Sequence, residues 1–348
     1  TAVLTCRGCL QNCVFCGGSA SAFRYVCNRD NPAFRSPDYV ALDVDRIRRF
    51  AKGPVFILGD IRQPGMDYAN RLLSLLKKQT GKNQMILELF SPASKGFMTK
   101  IGDACPNFCL EISPESHDPE VRSASGKHYS NETLEETIGY ALDAGCGRLD
   151  LFFMIGLPKQ TQKSVMGTID YCSYLLDKFG KDGKLSPFIS PLAPFLDPGS
   201  LAFEYPDKYG YRILFRTLEE HRQALVAPSW KYTLNYETEW MNREQIVDST
   251  YEAGRRLNRL KVKHGLISSE VAQATERRIS MALEMLHRID EIIAQSKSSE
   301  IEERLSSLKA MVDEVSMSTV CEKTELNLPT PLVKLRLAQV LWSLVTKR

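Results

Sequence analysis

Four cysteines stand close together near the start of the chain, in the stretch TCRGCLQNCVFC at residues 5–16. Cys6, Cys9, Cys13 and Cys16 are separated by two, three and two residues. Thiolates at this density are ligands for zinc or for an iron–sulfur cluster. A secreted disulfide scaffold is disfavoured, because the chain is long, shows no signal segment and has half of its ten cysteines before residue 28. We therefore expect a reducing, cytoplasmic setting in which these thiols bind metal.

The cysteine spacing distinguishes three kinds of metal site. A structural zinc site commonly places a loop of more than about a dozen residues between two cysteine pairs. A bacterial ferredoxin run has a different order, and it ends in a proline that does not follow Cys16 here. The third interpretation uses only Cys9, Cys13 and Cys16 to hold three corners of a [4Fe–4S] cluster, which leaves one iron open for a ligand from substrate or cofactor. Cys6 is then a spare, small buried residue at the end of a strand.

The elements that must position these thiols are read from hydrophobic periodicity. Apolar strands alternate with helices over the first two hundred residues, and this predicts a parallel sheet covered by helices. The predicted strands are 2–5, 54–59, 85–90, 108–113, 148–155 and 187–193. The predicted helices between them are 43–51, 66–79, 94–102, 131–144 and 162–178.

The pattern changes after about residue 205. Helices are predicted at 210–226, 242–264, 268–295 and 300–316, with no further series of strands and with SKSS at 296–299 as a linker. We expect a helical stripe of core residues at Ile279, Ala282, Leu283, Leu286, Ile289 and Ile293. The aromatic stretch formed by Trp230, Tyr232, Tyr236 and Trp240 is interpreted as a packed seam between subdomains. The expected division is a barrel over 1–205 and a mainly helical region over 206–348.

Composition excludes some classes of function. No run approaches eighteen apolar residues, so a membrane span is not expected. The formal charge of +3 gives no general field for nucleic acid, and we interpret the basic run at 255–264 as a solvated helix face. The chain opens on Thr1 and enters a strand at once, and we expect a further segment upstream.

The motif C-x3-C-x-aromatic-C, completed by Phe15 before Cys16, resembles the signature of the radical S-adenosylmethionine (radical SAM) superfamily. The preceding RGC and the following Gly17–Gly18 are also similar to that setting. The resemblance covers roughly the first two hundred residues and implies a partial (βα)6 barrel, with the motif on the loop after the first strand. It implies that Cys9, Cys13 and Cys16 hold a [4Fe–4S] cluster and that S-adenosylmethionine (SAM) binds its open iron.

Further segments resemble the SAM-binding parts of that superfamily, which implies a set of cofactor contacts. ILGDIRQPG stands where the superfamily has a Gly-Gly-Glu segment for the SAM amino group, and here Gly59 and Asp60 replace the usual trio. In LEISPESHDPEVR, the resemblance places Ser113 and Glu115 at the end of the fourth strand and pairs the Arg122 guanidinium with the SAM carboxylate. In FFMIGLPKQT, it implies that Ile155 and Gly156 form the floor under the adenine.

Three segments together resemble the radical SAM proteins that contain a cobalamin-binding domain: GCLQNCVFCGGSASAFR, GDIRQPGMDYA and SPESHDPEVR. In that group a cobalamin domain precedes the barrel, and many members methylate unactivated carbon. The resemblance thus implies SAM cleavage to a 5′-deoxyadenosyl radical, with cobalamin-dependent methyl transfer to a small-molecule or peptide substrate. It also implies a one-electron reductant such as flavodoxin or ferredoxin.

Two alternatives stay open at the level of sequence. One is a cobalamin-independent radical SAM enzyme that performs hydrogen abstraction, cyclisation or RNA modification. The other is a non-enzymatic zinc-binding module in which all four cysteines coordinate the metal, although it leaves the six βα units unexplained.

Overall fold

A computed structural model of the chain describes residues 1–79, 83–193, 195–225, 229–295, 321–326, 334–335 and 342. Its centre is a six-stranded parallel sheet whose strand order follows the chain order. The strands are β1 (Ala2–Leu4), β2 (Val55–Leu58), β3 (Met85–Leu89), β4 (Cys109–Glu115), β5 (Arg148–Ile155) and β6 (Leu185–Pro191). The six predicted strands are confirmed, with ends that shift by no more than two residues.

The sheet is open at both sides in the part of the chain that is described. β1 pairs only with β2, and β6 pairs only with β5, so these strands are the two edges of the sheet. The predicted α/β class and partial barrel are therefore confirmed. Because all strands are parallel, their carboxyl ends lie at one edge of the sheet, which is the edge where such folds place ligands.

The two faces of the sheet differ in polarity, as β5 illustrates. Leu149, Leu151, Phe153 and Ile155 are buried in the main core together with residues of the helix that follows. The alternate residues of β5 face the concave side, where Arg148 and Asp150 form an ion pair at 2.7 Å. The concave face therefore carries charged groups beside the stacked rings of Phe152 and Phe188, whose centroids are 5.3 Å apart, while the helix-facing side forms the core.

Helices cover the sheet and continue beyond it. Their bounds are α1 (Ala20–Cys27), α2 (Pro37–Phe50), α3 (Met66–Lys78), α4 (Lys95–Ala104), α5 (Pro119–Ala124), α6 (Asn131–Asp143), α7 (Gln162–Phe179), α8 (Leu201–Glu204), α9 (Pro206–Tyr209), α10 (Leu218–Ala224), α11 (Trp230–Thr233), α12 (Arg243–Lys263) and α13 (Ser269–Gln295). The five predicted barrel helices are confirmed, and α2 begins six residues earlier than expected because Ser36 caps it ahead of Pro37. The sequence analysis missed α1 and α5, which have only eight and six residues.

The predicted helix over 210–226 is wrong in its first half. Residues Tyr211–Ile213 form a strand that pairs antiparallel with Tyr236–Thr238, and α10 begins only at Leu218. The ring of Tyr211 is buried against that of Tyr236, with ring centroids 5.5 Å apart. Tertiary packing of these two aromatic side chains thus decides the local structure.

The two long helices of this region, α12 and α13, are confirmed. In α13, the predicted stripe is buried at Ile279, Ala282, Leu286 and Ile289, whereas Ile293 is exposed. The predicted helix at 300–316 and the linker at 296–299 lie outside the described residues.

One hydrophobic core extends across the expected boundary at 205/206. Leu157 of the barrel belongs to the same buried cluster as Leu234, Ile246 and Leu257 of the later region. The predicted division at 205/206 stays a prediction, and in the described residues the two parts pack directly on each other.

The basic run at 255–264 is largely engaged in ion pairs. Arg255 and Arg259 both face Glu276 at 3.4 Å, and Lys261 pairs with Glu325 at 2.6 Å in a buried position. Such pairs neutralise the positive field that a phosphate backbone would need. Among the helices of the described ranges, none is both long and apolar enough to cross a bilayer.

Candidate functional site

The cysteine loop lies at the carboxyl end of β1 and leads directly into α1. Two backbone hydrogen bonds fold it into consecutive turns, from the Cys16 N–H to the Cys13 carbonyl and from the Ser19 N–H to the Cys16 carbonyl, each at 3.2 Å. A third bond, from the Ala20 N–H to the Gln11 carbonyl at 2.8 Å, closes the loop on itself. Cys9, Cys13 and Cys16 are all half-buried in this loop.

Backbone N–H groups point at two of the three sulfurs. The Gln11 N–H donates to Cys9 Sγ and the Gly18 N–H donates to Cys16 Sγ, each at 3.3 Å. Burial raises the pKa of both the Cys9 and the Cys13 thiol to about 11. The thiols are therefore protonated near neutral pH in the metal-free chain, and binding to iron or zinc would release their protons.

The three thiols are of the ligand type that an iron–sulfur cluster needs. In the described ranges, no three His, Cys, Asp or Glu side chains converge on a point that could hold one metal ion. A [4Fe–4S] cluster has a different requirement, because each thiolate binds its own iron and the sulfurs stay apart. Soft thiolates with N–H donors around them are the ligand set that such clusters use.

Cys6 precedes this loop, in a short strand (Cys6–Arg7) that pairs with Ala33–Phe34, and its charge acts on the Cys9 thiol. Its Sγ atom accepts a weak hydrogen bond from Gln63 Nε2 at 3.9 Å. The side chain is half-buried, so the prediction of a buried residue is wrong. The position on a strand that precedes the loop, with its own partner, is consistent with a residue outside the ligand set.

A buried ion pair lies beside Cys13. Glu115 Oε1 and Lys127 Nζ are 2.7 Å apart, with side chains that are 5% and 7% exposed, and Lys127 Nζ also donates to the Ser113 carbonyl. Burial is the largest influence on Lys127 and would lower its pKa, but the charge and hydrogen bond of Glu115, together with Tyr129 and Cys13, outweigh burial and raise that pKa. Burial raises the pKa of Glu115 against the opposing charge of Lys127.

The second oxygen of Glu115 is an orphaned buried acceptor. Glu115 Oε2 is buried and accepts no hydrogen bond from the residues that the structure describes, although an unsatisfied buried acceptor costs about 1–3 kcal/mol. Glu115 also adopts a left-handed backbone conformation, with φ of 67°. Strain and an orphaned oxygen on one residue at a strand end are typical of a binding site.

The loop after β4 approaches the cysteine loop closely. A Cβ atom on Gly126 would lie 2.8 Å from the Asn12 carbonyl oxygen, and Gly126 has φ of 92°. Only glycine fits this position, and it brings the neighbouring Lys127 to the cysteine loop. The Val14 N–H bonds to the Ser125 carbonyl at 3.2 Å and fixes the same contact.

The segment after β2 differs from its expected use. Gly59 has φ of 97°, and its N–H donates to Glu88 at the end of β3. Asp60 is buried, and its two oxygens accept bonds from Arg62 and from the Phe90 N–H, at 2.6 to 2.9 Å. Asp60 therefore closes this turn, and Glu88 is a half-buried carboxylate next to it.

Arg122 is not brought to the site. Its side chain is fully buried, with donors directed at the Ser116 and Tyr129 carbonyls and at Asn131 Oδ1. Its guanidinium also lies 5.0 Å from the centre of the Tyr129 ring. The geometry gives Arg122 the role of holding the loop from 116 to 131, and places Lys127 as the cation next to the cysteines.

The end of β5 is covered by the later region of the chain. The Ile155 side chain is fully buried in the core. Gly156 has φ of 95°, and its carbonyl accepts a bond from the Tyr211 hydroxyl at 3.0 Å. A Cβ on Gly156 would lie 2.1 Å from the Tyr236 hydroxyl oxygen. Gly156 is thus required by this close approach, and Ile155 contributes to the core.

Two other expected residues have clear positions. Phe15 is buried in the main core directly before Cys16 and so anchors the cysteine loop. In the aromatic stretch, Trp230 Nε1 donates to the Tyr251 hydroxyl at 2.9 Å and the Tyr232 hydroxyl donates to Asp290 Oδ1 at 2.5 Å. Both contacts lie within the later region, so the seam between subdomains stays a prediction.

Two charged residues next to the candidate site, Glu88 and Lys127, were not predicted from the sequence. Glu88 interrupts the apolar strand MILEL at a position that faces the concave side, and this alternation was visible in the sequence. Lys127 gave no such signal, because it is a single lysine after a short helix.

The comparisons with known proteins agree with this geometry. Residues 3–172 match the family model described as the radical SAM superfamily. This part of the chain, from β1 into α7, is therefore a radical SAM domain. The comparison with curated proteins gave no match.

Solved structures with a similar fold include radical SAM enzymes. TsrM from Kitasatospora setae, a radical SAM methyltransferase with cobalamin and a [4Fe–4S] cluster bound, matches with a TM-score of 0.52 and 11% identity over 91% of this chain and 61% of that one. OxsB, a cobalamin-dependent SAM radical enzyme, gives 0.48 and 12% over 90% and 45%. HemN from Escherichia coli, a coproporphyrinogen III oxidase, gives 0.39 and 11% over 81% of each chain.

At these identities, the TsrM match shows a shared fold. The chain spans 61% of the length of TsrM and 45% of that of OxsB.

Proposed function

We propose that this chain cleaves SAM reductively, with a [4Fe–4S] cluster held by Cys9, Cys13 and Cys16. The observation that supports this most strongly is the placement of three half-buried cysteines on one loop at the carboxyl edge of the sheet, beside the unsatisfied oxygen of Glu115. When bound, such a cluster would supply one electron for cleavage of the carbon–sulfur bond of SAM, which would release methionine and a 5′-deoxyadenosyl radical able to take hydrogen from the substrate. The chain's own residues bind the cofactor, orient it and exclude water.

The charges around the loop match the groups that SAM carries. SAM has an ammonium, a carboxylate and ribose hydroxyls. We assign the ammonium to Glu88 and the Gly59 carbonyl, the carboxylate to the remaining N–H of Lys127, and a ribose hydroxyl to Glu115 Oε2. In this proposal, Ser113 and Gly156 shape the backbone around the cofactor, and Asp60, Arg122 and Ile155 support the turns that carry these groups.

The finer proposal is methyl transfer with cobalamin. Its support is the fold shared with TsrM, which is a methyltransferase with cobalamin bound. The alternative is cobalamin-independent hydrogen abstraction or cyclisation. Adding SAM with a deuterated methyl group, with and without cobalamin, distinguishes the two by whether the label reaches a product other than methionine.

The substrate of either reaction is proposed to be a small molecule or peptide. The ion pairs along the basic run at 255–264 disfavour RNA modification. Delivery of one electron requires a protein reductant of the flavodoxin or ferredoxin class, for which a chemical reductant substitutes in the assay. We expect the reaction to proceed in a reducing, cytoplasmic setting.

The test of the core proposal is anaerobic reconstitution with iron and sulfide, followed by assay of 5′-deoxyadenosine after reduction. Cys13→Ala is expected to abolish SAM cleavage, and Cys6→Ala, a loss of the same thiol from a position outside the loop, is expected to retain it. A chain that binds one zinc through all four cysteines and never forms 5′-deoxyadenosine would contradict the proposal.

A further inference from the structure

The segment after β6 lies directly against the cysteine loop. The Gly17 N–H donates to Asp197 Oδ2 at 2.8 Å, across 180 positions of sequence. The Ala202 N–H bonds to the Val14 carbonyl at 2.8 Å and makes a second contact between the same two segments. A Cβ on Gly17 would lie 3.0 Å from that of Asp197, so the two backbones approach closely.

Two consecutive N–H groups follow Cys16, and the Asp197 carboxylate accepts a hydrogen bond from the first of them. Gly17 gives its N–H to the Asp197 carboxylate, and Gly18 gives its N–H to Cys16 Sγ at 3.3 Å. Successive peptide planes in a turn are linked by a single Cα, so fixing the direction of one N–H restricts the next. The Asp197 carboxylate therefore holds the turn that directs an N–H at the Cys16 sulfur.

Asp197 is itself held by the later region of the chain. Asn235 is fully buried, and its side-chain amide bonds to both backbone groups of Leu196, accepting from the N–H at 2.7 Å and donating to the carbonyl at 3.2 Å. The same amide nitrogen lies 3.0 Å from His221 Nε2. Asn235 thereby fixes the backbone of the residue next to Asp197.

We propose that Asp197 is a positioning residue for the Cys16 corner of the cluster, and that Asn235 transmits the packing of the later region to it. This rests on the proposed function. The reduction potential of an iron–sulfur cluster depends on net charge and on hydrogen bonds to its sulfurs. Asp197 affects both quantities, since it adds a negative charge next to Cys16 and sets the N–H that Cys16 Sγ accepts.

Two substitutions separate the effect of the Asp197 charge from the effect of its hydrogen bond to the Gly17 N–H. Asp197→Asn keeps an oxygen for the Gly17 N–H and removes the charge, so cluster content is expected to stay at the wild-type level while the midpoint potential becomes more positive. Asp197→Ala removes both, and cluster content is expected to fall. The matched control is Asp207→Asn, an exposed aspartate on α9, which is expected to leave potential and content unchanged.

A second measurement uses the metal-free chain. Hydrogen–deuterium exchange of the peptide covering the cysteine loop is expected to speed up in Asp197→Ala and in Asn235→Ala, and to stay unchanged in Asp207→Asn. Wild-type exchange rates in both variants would overturn the positioning role, whether or not the cluster assembles.

The potentials are measured by EPR-monitored redox titration of the reconstituted full chain. If Asp197→Asn has the wild-type midpoint potential, the electrostatic role of Asp197 is overturned. The proposed function still stands in that case, provided that the wild-type chain cleaves SAM. Failure of the wild type to assemble any cluster contradicts the proposed function instead.

Discussion

Replacing Lys127 with glutamine tests which cation binds the SAM carboxylate: Lys127, as we propose, or Arg122, as the sequence resemblance implies. Lys127 pairs with Glu115 in a buried position, at 2.7 Å. Loss of one partner of a buried ion pair costs about 3–5 kcal/mol of folding free energy. Because the glutamine amide still donates a hydrogen bond to Glu115, we expect a loss near the lower limit, about 3 kcal/mol. A charge-assisted hydrogen bond to SAM contributes about 1.5–3 kcal/mol, so the Kd for SAM should rise about 10- to 150-fold.

The matched variant is Arg122→Gln, which removes the buried cation that the sequence resemblance placed on the carboxylate. It loses bonds to Ser116, Tyr129 and Asn131, so it is expected to destabilise the chain without a comparable change in SAM affinity. Stability is measured by chemical denaturation of the metal-free chain, and SAM affinity by calorimetry on the reconstituted chain. A strong loss of SAM affinity in Arg122→Gln, with Lys127→Gln unchanged, would refute the assignment to Lys127.

Two further predictions concern the interior of the barrel and the turn after β2. Burial, with the nearby Asp150 charge, raises the pKa of Glu111 to about 7 from a usual 4.5. Protonated Glu111 therefore contributes its full stability to the folded chain below pH 4.5, and this contribution is lost as the pH rises through 7. Glu111→Gln should flatten the decline of the denaturation midpoint over this pH range, and an unchanged profile would exclude Glu111 as the source of the decline. Gly59→Ala and Gly65→Ala form a matched pair, because both positions have positive φ but only Gly59 would place a Cβ against another atom, 2.5 Å from Thr5 Oγ1. The backbone strain is about 1–2 kcal/mol in each, and a larger loss of thermal stability is expected in Gly59→Ala; equal losses would show that the contact with Thr5 relaxes.

Much of the fold followed from local sequence pattern. The six strands of the sheet were predictable because each is a short apolar run bounded by turn residues, as in PVFILG before Asp60. The long helices α12 and α13 were predictable because their apolar residues recur at helical spacing over many turns. The apolar residues that produce this periodicity are also the ones whose burial stabilises these elements.

The departures arose where tertiary contacts override local pattern. Tyr211 forms a strand because its ring packs on Tyr236 and its hydroxyl reaches the Gly156 carbonyl. No local signal reports a partner that lies 25 residues away on the antiparallel strand. The short helices α1 and α5 were missed because one or two turns give too little periodicity.

The cysteine loop of the candidate site was predictable from the sequence, and the charged groups around it were less so. The close cysteine spacing predicted that the thiols share one loop, and their role as cluster ligands stays a proposal. The choice between Arg122 and Lys127 depended on tertiary contacts, since Arg122 lies on the short helix α5 and Lys127 lies just after it. The structure buries Arg122 among carbonyls and turns Lys127 toward Glu115 through the positive φ of Gly126.

The most direct test of the account is an EPR spectrum of the reduced, reconstituted chain recorded with and without SAM. A three-cysteine site with an open iron predicts a [4Fe–4S]+ signal that shifts when SAM is added, survives Cys6→Ala and is lost in Cys13→Ala. A signal that does not respond to SAM, or one that requires Cys6 as a fourth ligand, would contradict the three-cysteine site with an open iron.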